Sequence, residues 1–270
     1  MEKVVVLIFT HRAEPDEFER LSFQQCFKVL GKHPIRLVCP RGMDVSAYRA
    51  MAPNLVVDSV PPRFMASLKA YNRLKMAPWF YRRYSNYEFM LTYELDAFVF
   101  RDELLEWCDK GWHFIGAPWF EGFNQAVAGA PYSGAGNSGF SLRHVASVLK
   151  IVTTWRKVTA KKMLWKRCVE TRRHILRQVQ LFCELVTFNN YHYPLCPKVL
   201  EDYFFCIHAA KAFPEFRVAP VKEASRFSIE NFPGRVFADG GNKLPFGCHA
   251  WRRHGSEFWA PFIRESGYSI

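Results

Sequence analysis

Val4-Val-Val-Leu-Ile-Phe9 is an unbroken apolar run rich in β-branched side chains. It is too short for an ordinary helix and far below the roughly 20 residues that cross a bilayer, so it fits a strand buried on both faces, the kind that builds parallel sheets. The run ends at Thr10-His11-Arg12. A helical pattern follows from about Asp16 to Leu30, closed by Gly31, and Ile35-Arg-Leu-Val-Cys39 makes a second strand stopped by Pro40. A β-α-β opening of this kind predicts an α/β fold whose ligands lie beyond the carboxyl ends of the strands.

Later segments repeat the alternation. Leu55-Val-Val57 is a third strand, and Phe64 to about Tyr84 a helix broken near Pro78, because proline lacks a donor and crowds the preceding turn. Phe89-Met-Leu-Thr-Tyr93 is a strand that runs into Glu94-Leu-Asp96; apolar Ala97-Phe-Val-Phe100 follows, then a helix capped by Asp102. Trp112 to Ala117 and Gly139 to Leu142 are further strands, separated by a loop carrying Gly122, Gly129, Gly134 and Gly136. With neither repeat nor linker, residues 1–270 are expected to form one domain with a mainly parallel sheet flanked by helices.

A hydrophobic share of 49% with 23% charged residues excludes a disordered or fibrous chain. The start shows neither a basic n-region nor a cleavage site, so a cytoplasmic location is expected. The eight cysteines, at 26, 39, 108, 168, 183, 196, 206 and 248, have no zinc-site spacing and are expected to be free, mostly buried thiols. The net charge of +12 is concentrated: Arg156 to Arg177 holds nine Lys/Arg against Glu170 alone. Leu164, Cys168, Ile175, Leu176 and Val179 recur at near-helical spacing there, which predicts a basic amphipathic insertion within about 150–190. Its cationic face suits simple solvation, an anionic lipid or phosphate-bearing acceptor, or nucleic acid; no nucleic-acid motif accompanies it.

Four constellations carry chemistry. Glu94 and Asp96, at i and i+2, project from one side of an extended chain between apolar flanks, as a salt-bridged pair or as ligands for a hard cation, Mg²⁺ or Mn²⁺. Gly134-Ala-Gly-Asn-Ser-Gly-Phe-Ser-Leu-Arg143 is a flexible turn or a loop able to surround a polyhydroxylated ligand, with hydrogen bonds from Asn137, Ser138 and Ser141. Glu201-Asp202 opens an apolar helical run, where an acid caps the helix or takes a proton from an attacking hydroxyl. In Phe246-Gly-Cys-His-Ala-Trp251, His249 is either a satisfied core residue or a nitrogen ligand for a divalent ion.

Taken in order, Thr10-His11-Arg12, Tyr93-Glu-Leu-Asp-Ala-Phe-Val-Phe100, Gly116-Ala-Pro-Trp119, Gly136-Asn-Ser-Gly-Phe-Ser-Leu-Arg143, Glu201-Asp202 and Phe246-Gly-Cys-His-Ala-Trp251 resemble GT-A glycosyltransferases, and most closely a family of polysaccharide-locus glycosyltransferases. The resemblance implies a Rossmann-like GT-A catalytic domain over 1–270, polysaccharide biosynthesis, and a nucleotide-sugar donor under the sheet's carboxyl edge. It implies that Asp96 is the last acid of the Asp-x-Asp metal motif, that Glu94 stands in its first position as metal ligand or ribose contact, and that His249 is the C-terminal metal ligand. Thr10, His11 and Arg12 correspond to the nucleotide-contacting turn, Asn137, Ser138 and Gly139 to the sugar-side loop, and Asp202, beside Glu201, to the base of inverting members.

Chemistry agrees with that set. A nucleoside diphosphate gathers negative charge as it leaves, which a bound Mn²⁺ or Mg²⁺ offsets, and the acceptor hydroxyl needs a separate base. The expected reaction is transfer of a sugar from a nucleotide-sugar to a saccharide or lipid-linked saccharide, with residues 156–177 meeting an anionic membrane peripherally and no nucleic acid involved. Two other classes compete: a polyanion- or nucleic-acid-binding protein using the basic segment, and a sugar-phosphate nucleotidyltransferase. The second would carry a Gly-rich basic loop after the first strand, where Thr10-His-Arg-Ala-Glu14 stands instead.

Overall fold

The computed structural model describes residues 1–158, 169, 175–186, 190 and 199–270. Its centre is a six-stranded sheet built from β1 (Glu2–Phe9), β2 (Ile35–Pro40), β3 (Val56–Val60), β4 (Tyr87–Glu94), β6 (Phe114–Gly116) and β9 (Phe140–His144), in the order β3-β2-β1-β4-β9-β6. The first four are mutually parallel, whereas β9 runs antiparallel to both β4 and β6. The α/β, mainly parallel architecture expected from the β-α-β opening is therefore the one observed.

The apolar run of β1 is continuous because the strand has no wet face. Val4, Val6 and Ile8 join a core that includes Phe23, Cys26 and Leu30 of α1 (Glu17–Leu30). Val5, Leu7 and Phe9 join the opposite core, with Phe80 and Tyr81 of α4 (Pro78–Arg83), Val148 and Val152 of α6 (Val145–Thr153), and Phe204 and Phe205. Helix α1 starts where its sequence says: the Asp16 side chain accepts from the amides of Phe18 and Glu19, and Glu19 returns a bond to the Asp16 amide, a capping box. A third core gathers Phe98, Ile229, Val236, Cys248, Trp251, Trp259 and Ile263 beneath a small sheet of β10 (Ser228–Ile229), β11 (Gly247–Cys248) and β5 (Phe98–Val99).

The break expected near Pro78 is present: residues 68–83 form two helices, α3 (Leu68–Leu74) and α4, with Pro78 starting the second at a position where its missing amide costs nothing. Other elements differ from the sequence pattern. Asp102 is not the cap residue of α5 (Leu104–Asp109); Glu103 holds that position, while Asp102 accepts from the Leu104 amide and pairs with His33 at 3.0 Å. The stretch taken for a plain glycine-bearing loop contains a two-stranded sheet, β7 (Pro118–Phe120) with β8 (Tyr132–Ala135). Its strands are too short to show a period.

The basic segment is helical at its C-terminal part among the described residues. Residues 154–158 are not helical, and α7 spans Ile175–Val186. Lys161, Lys162, Lys166, Arg167 and Trp165 lie outside the described residues, as do Cys168 and Cys196. Cys26, Cys39, Cys108, Cys206 and Cys248 are free and buried, and Cys183 is exposed. Among the described residues no helix is long and apolar enough to cross a membrane.

Candidate active site

The sheet register sets the site. Phe9 pairs with Glu94, so Thr10 and the Glu94-Leu-Asp96 turn leave the sheet side by side at its carboxyl edge. On the other flank of β4 the direction reverses: Tyr93 pairs with Phe140, and the Glu94 amide donates to the Gly139 carbonyl at 2.8 Å. A third segment arrives through β11, where Cys248 pairs with Phe98 and the His249 amide donates to Ile229 O. Beside this junction lies a cavity of about 450 Å³, lined by Thr10, His11, Ser67, Tyr71, Glu94 and Asp96 among others. Such a size fits a small-molecule ligand.

Glu94, Asp96 and His249 each bring one ligand atom to within 4.8 Å of the others. His249 Nε2 stands 3.1 Å from Asp96 Oδ1 and 3.6 Å from Glu94 Oε2, yet it is buried and makes no hydrogen bond among the described residues. Space for the ring comes from Gly139: a Cβ there would sit 1.9 Å from Nε2. Behind the ring, Nδ1 lies 3.1 Å from Glu230 Oε1. Burial disfavours the imidazolium, but the surrounding carboxylates, Asp96 foremost, overcome that and raise the His249 pKa well above its ordinary value. Two carboxylates and an imidazole around one unpartnered buried nitrogen fit a divalent cation such as Mn²⁺ or Mg²⁺.

Glu94 serves two neighbourhoods. Its Oε2 faces His249, while its Oε1 accepts from Lys75 Nζ at 2.6 Å and from Tyr71 Oη at 2.9 Å. Burial favours the neutral carboxyl, but the Lys75 ammonium and His249 hold the Glu94 pKa below the usual carboxylate range. Lys75, itself 2% exposed, also donates to Ser138 Oγ at 3.1 Å and lies 3.7 Å from Glu201 Oε1.

Glu201 and Asp202 open a helical stretch over 201–212 that is π-helical at Phe204–Ala209. Although adjacent, they sit in different surroundings. Glu201 is 1% exposed and its Oε1 accepts from Arg143 Nη2 at 3.0 Å; Arg143 is braced in turn by Tyr81 Oη and Ser141 Oγ. Its Oε1 is engaged in a buried ion pair, and its Oε2 has no hydrogen bond among the described residues. Asp202 is buried and, among the described residues, accepts only the Tyr203 amide, through Oδ1, at 2.7 Å. Burial, reinforced by the Glu201 charge, pushes its pKa up to about 7.

The remaining sequence candidates divide. Thr10 and His11 line the cavity, whereas Arg12 turns to the start of α1, with Nη1 3.6 Å from Asp16 and 3.5 Å from Glu19. Asn137 accepts the Gly139 amide and donates to Glu230 Oε2 at 2.8 Å, and Ser138 meets Lys75. Lys75, Tyr71, Arg143 and Glu230 were not visible as site residues in the sequence. Of these only Lys75 had a signal: a lone cation in the apolar stretch Leu74-Lys-Met-Ala-Pro-Trp-Phe80.

The profile of the family described as "Protein of unknown function (DUF5672)" matches residues 54–249, a span that runs from the start of β3 to the candidate metal ligand His249. No curated protein matches the chain. Among solved structures, the galactosyltransferase LgtC in complex with donor and acceptor sugar analogues is 13% identical, covers 98% of this chain and 96% of its own, and superposes with a TM-score of 0.51. An active-site mutant of LgtC is 14% identical, with 98% and 97% covered and a TM-score of 0.50. Mouse xyloside xylosyltransferase 1, apo form, is 11% identical over 92% of this chain and 97% of its own at a TM-score of 0.48, too low to add to the assignment. At these identities the likeness is one of fold, and the fold is that of GT-A-type glycosyltransferases.

Proposed function

The chain belongs to the DUF5672 family, and we propose that it is a metal-dependent glycosyltransferase that moves a sugar from a nucleotide-sugar donor to a saccharide or lipid-linked saccharide acceptor. One observation carries this: His249 is brought across the fold to Asp96 and Glu94 at the carboxyl edge of the sheet, with Nε2 buried and unpartnered. A nucleotide-sugar fits the neighbouring cavity, where Thr10 and His11 meet the nucleotide and the Asn137-Ser138-Gly139 loop borders the sugar. Asp96, His249 and Glu94 would hold Mn²⁺ or Mg²⁺, which when bound offsets the negative charge of the diphosphate leaving group.

The rest of the chemistry falls to the protein. The acceptor hydroxyl oxygen bonds to the anomeric carbon as the carbon–phosphate oxygen bond breaks; the bonding pair leaves with the diphosphate, and the hydroxyl proton passes to Asp202. A carboxyl whose pKa lies near 7 is matched to that transfer, since a base works best when its pKa approaches the operating pH. Lys75 and Tyr71 fix Glu94, and Arg143 fixes Glu201 so that Asp202 is presented alone. Attack opposite the leaving group gives an inverted product.

The test is a thermal-shift panel of nucleotide-sugars with and without Mn²⁺, followed by product anomer analysis by NMR on the donor that responds. A donor that stabilises only with Mn²⁺ supports the assignment through mass action. Transfer that runs undiminished without divalent metal and in Asp96→Ala overturns it.

We also infer peripheral contact with an anionic membrane through the basic segment 156–177. Support comes from the nine Lys/Arg of that segment and from Ile175, Leu176, Val179 and Phe182 of α7, which stand 75%, 82%, 55% and 52% exposed. Apolar residues on one helix beside a strong positive charge are what an anionic interface attracts. Co-sedimentation with phosphatidylserine vesicles should fall steeply with salt and on charge reversal at Lys161, Lys162, Lys166 and Arg167. Indifference to both rules out electrostatic docking.

A further inference from the structure

The structure assigns Glu230 as the positioning residue that joins the metal ligand His249 to the sugar-side loop, an inference that rests on the metal site proposed above. Glu230 follows β10 at Ser228–Ile229, is 8% exposed, and uses each carboxylate oxygen on a different partner. Oε1 lies 3.1 Å from His249 Nδ1, and Oε2 accepts from Asn137 Nδ2 at 2.8 Å. Asn137 then closes the loop on itself through Oδ1, which accepts the Gly139 amide at 3.1 Å. Gly139 in turn is the residue against which the His249 ring rests. These four residues form a closed ring of contacts, with Glu230 as the member that touches both sides.

A carboxylate at this point has a specific consequence. It accepts and cannot donate, so in the neutral ring it holds the proton on His249 Nδ1 and turns the Nε2 lone pair toward Asp96 and Glu94, the orientation a cation requires. Carboxylates behind ligating histidines act in this way, and their loss typically weakens metal binding about 10–100-fold. Glutamine has the same shape but the opposite effect. If its carbonyl keeps the Asn137 bond, its amide faces Nδ1, makes that nitrogen an acceptor and drives the proton to Nε2. If it rotates to keep the His249 bond, its amide faces the Asn137 amide and the loop loses its anchor. Only a carboxylate satisfies both neighbours at once, so Glu230 sets the metal site and the loop together.

The test is Mn²⁺ titration of the full chain, without donor, followed by the electron paramagnetic resonance signal of free Mn²⁺. Glu230→Gln should raise the Kd about 10–100-fold while melting cooperatively near the wild-type temperature, and Glu230→Asp, which keeps an acceptor, should recover part of the loss. An unchanged Kd in Glu230→Gln, or equal losses in the two variants, overturns the inference while leaving the metal site standing. A wild-type chain that binds no Mn²⁺ overturns the site and the inference together. Should Glu230→Gln fail to melt cooperatively, Asn137→Ala carries the test: it frees Oε2, and its Kd should rise at least threefold. An unchanged value overturns the coupling.

Discussion

Two pairs of acids in this molecule look alike in sequence and are held in opposite ways. Glu94 and Asp96 sit where a parallel strand ends, with Asp96 half exposed beside an imidazole whose Nε2 has no hydrogen bond among the described residues. Glu201 and Asp202 sit at a helix start and are buried, with Arg143 and Lys75 balancing Glu201. At the strand end Lys75 balances Glu94, and it is the charge of Asp96 that is left open to a ligand. At the helix start it is neutralised by the protein, except at Asp202, where burial shifts the proton affinity instead. Paired acids therefore say little about use until their counter-charges are known, because a compensated carboxylate stabilises a fold whereas an uncompensated one is free to act on a ligand.

The sharpest way to break this contrast is to remove a charge from the compensated side. Glu201→Ala strands Arg143 in the core and should cost about 3–5 kcal/mol in denaturant unfolding, the usual penalty for breaking a buried ion pair; a cost below 1 kcal/mol would mean that the pair is not buried. On the open side the effect should be confined to chemistry. Asp96→Ala should lose at least about 100-fold in transfer rate, roughly 2.7 kcal/mol of barrier, with its unfolding midpoint unmoved. A large stability loss there would make Asp96 structural.

Asp202→Asn should change stability by an amount that depends on pH. The folded pKa near 7 lies above the ordinary aspartate value of 3.8, so the native state keeps a proton that the unfolded chain has released. This contribution is full below about 3.8 and is lost as pH rises through about 7. Asparagine stays neutral and can still accept the Tyr203 amide, so the variant should be more stable than wild type at pH 8, by a few kcal/mol at most, and no more stable at pH 4. Its transfer activity should be abolished, whereas the wild-type rate should climb through pH 7. A variant stabilised equally at both pH values would show that Asp202 does not titrate near neutrality.

The sequence exposed the parts of the site that lie at boundaries. The change from apolar Phe89–Tyr93 to Glu94 marks a strand end, and strand ends are where α/β ligands bind, so Glu94, Asp96 and Thr10 could be placed without coordinates. His249 could be named only as a ligand in waiting, because its approach depends on β11 pairing with β5, two strands of two residues each. What stayed hidden was held by contacts between distant segments. Lys75 and Ser138 are 63 positions apart, and Asn137 and Glu230 are 93 apart. No local period encodes such pairs. The β7–β8 pairing was hidden for a different reason: strands of three and four residues give too few alternations to register.

The wide turns at Phe204–Ala209 act as a spacer of one extra residue within an otherwise α-helical stretch. They take up that residue in a wider turn, so the leading turn, with its two acids, keeps nearly the azimuth it would have on a regular helix one residue shorter. Deleting one residue there would restore ordinary winding with Asp202 almost where it stands, whereas the same deletion in a regular helix would swing the residues before it by roughly 100°, about one residue's rotation. The proposed base is thereby buffered against the loss of a single codon in its own helix.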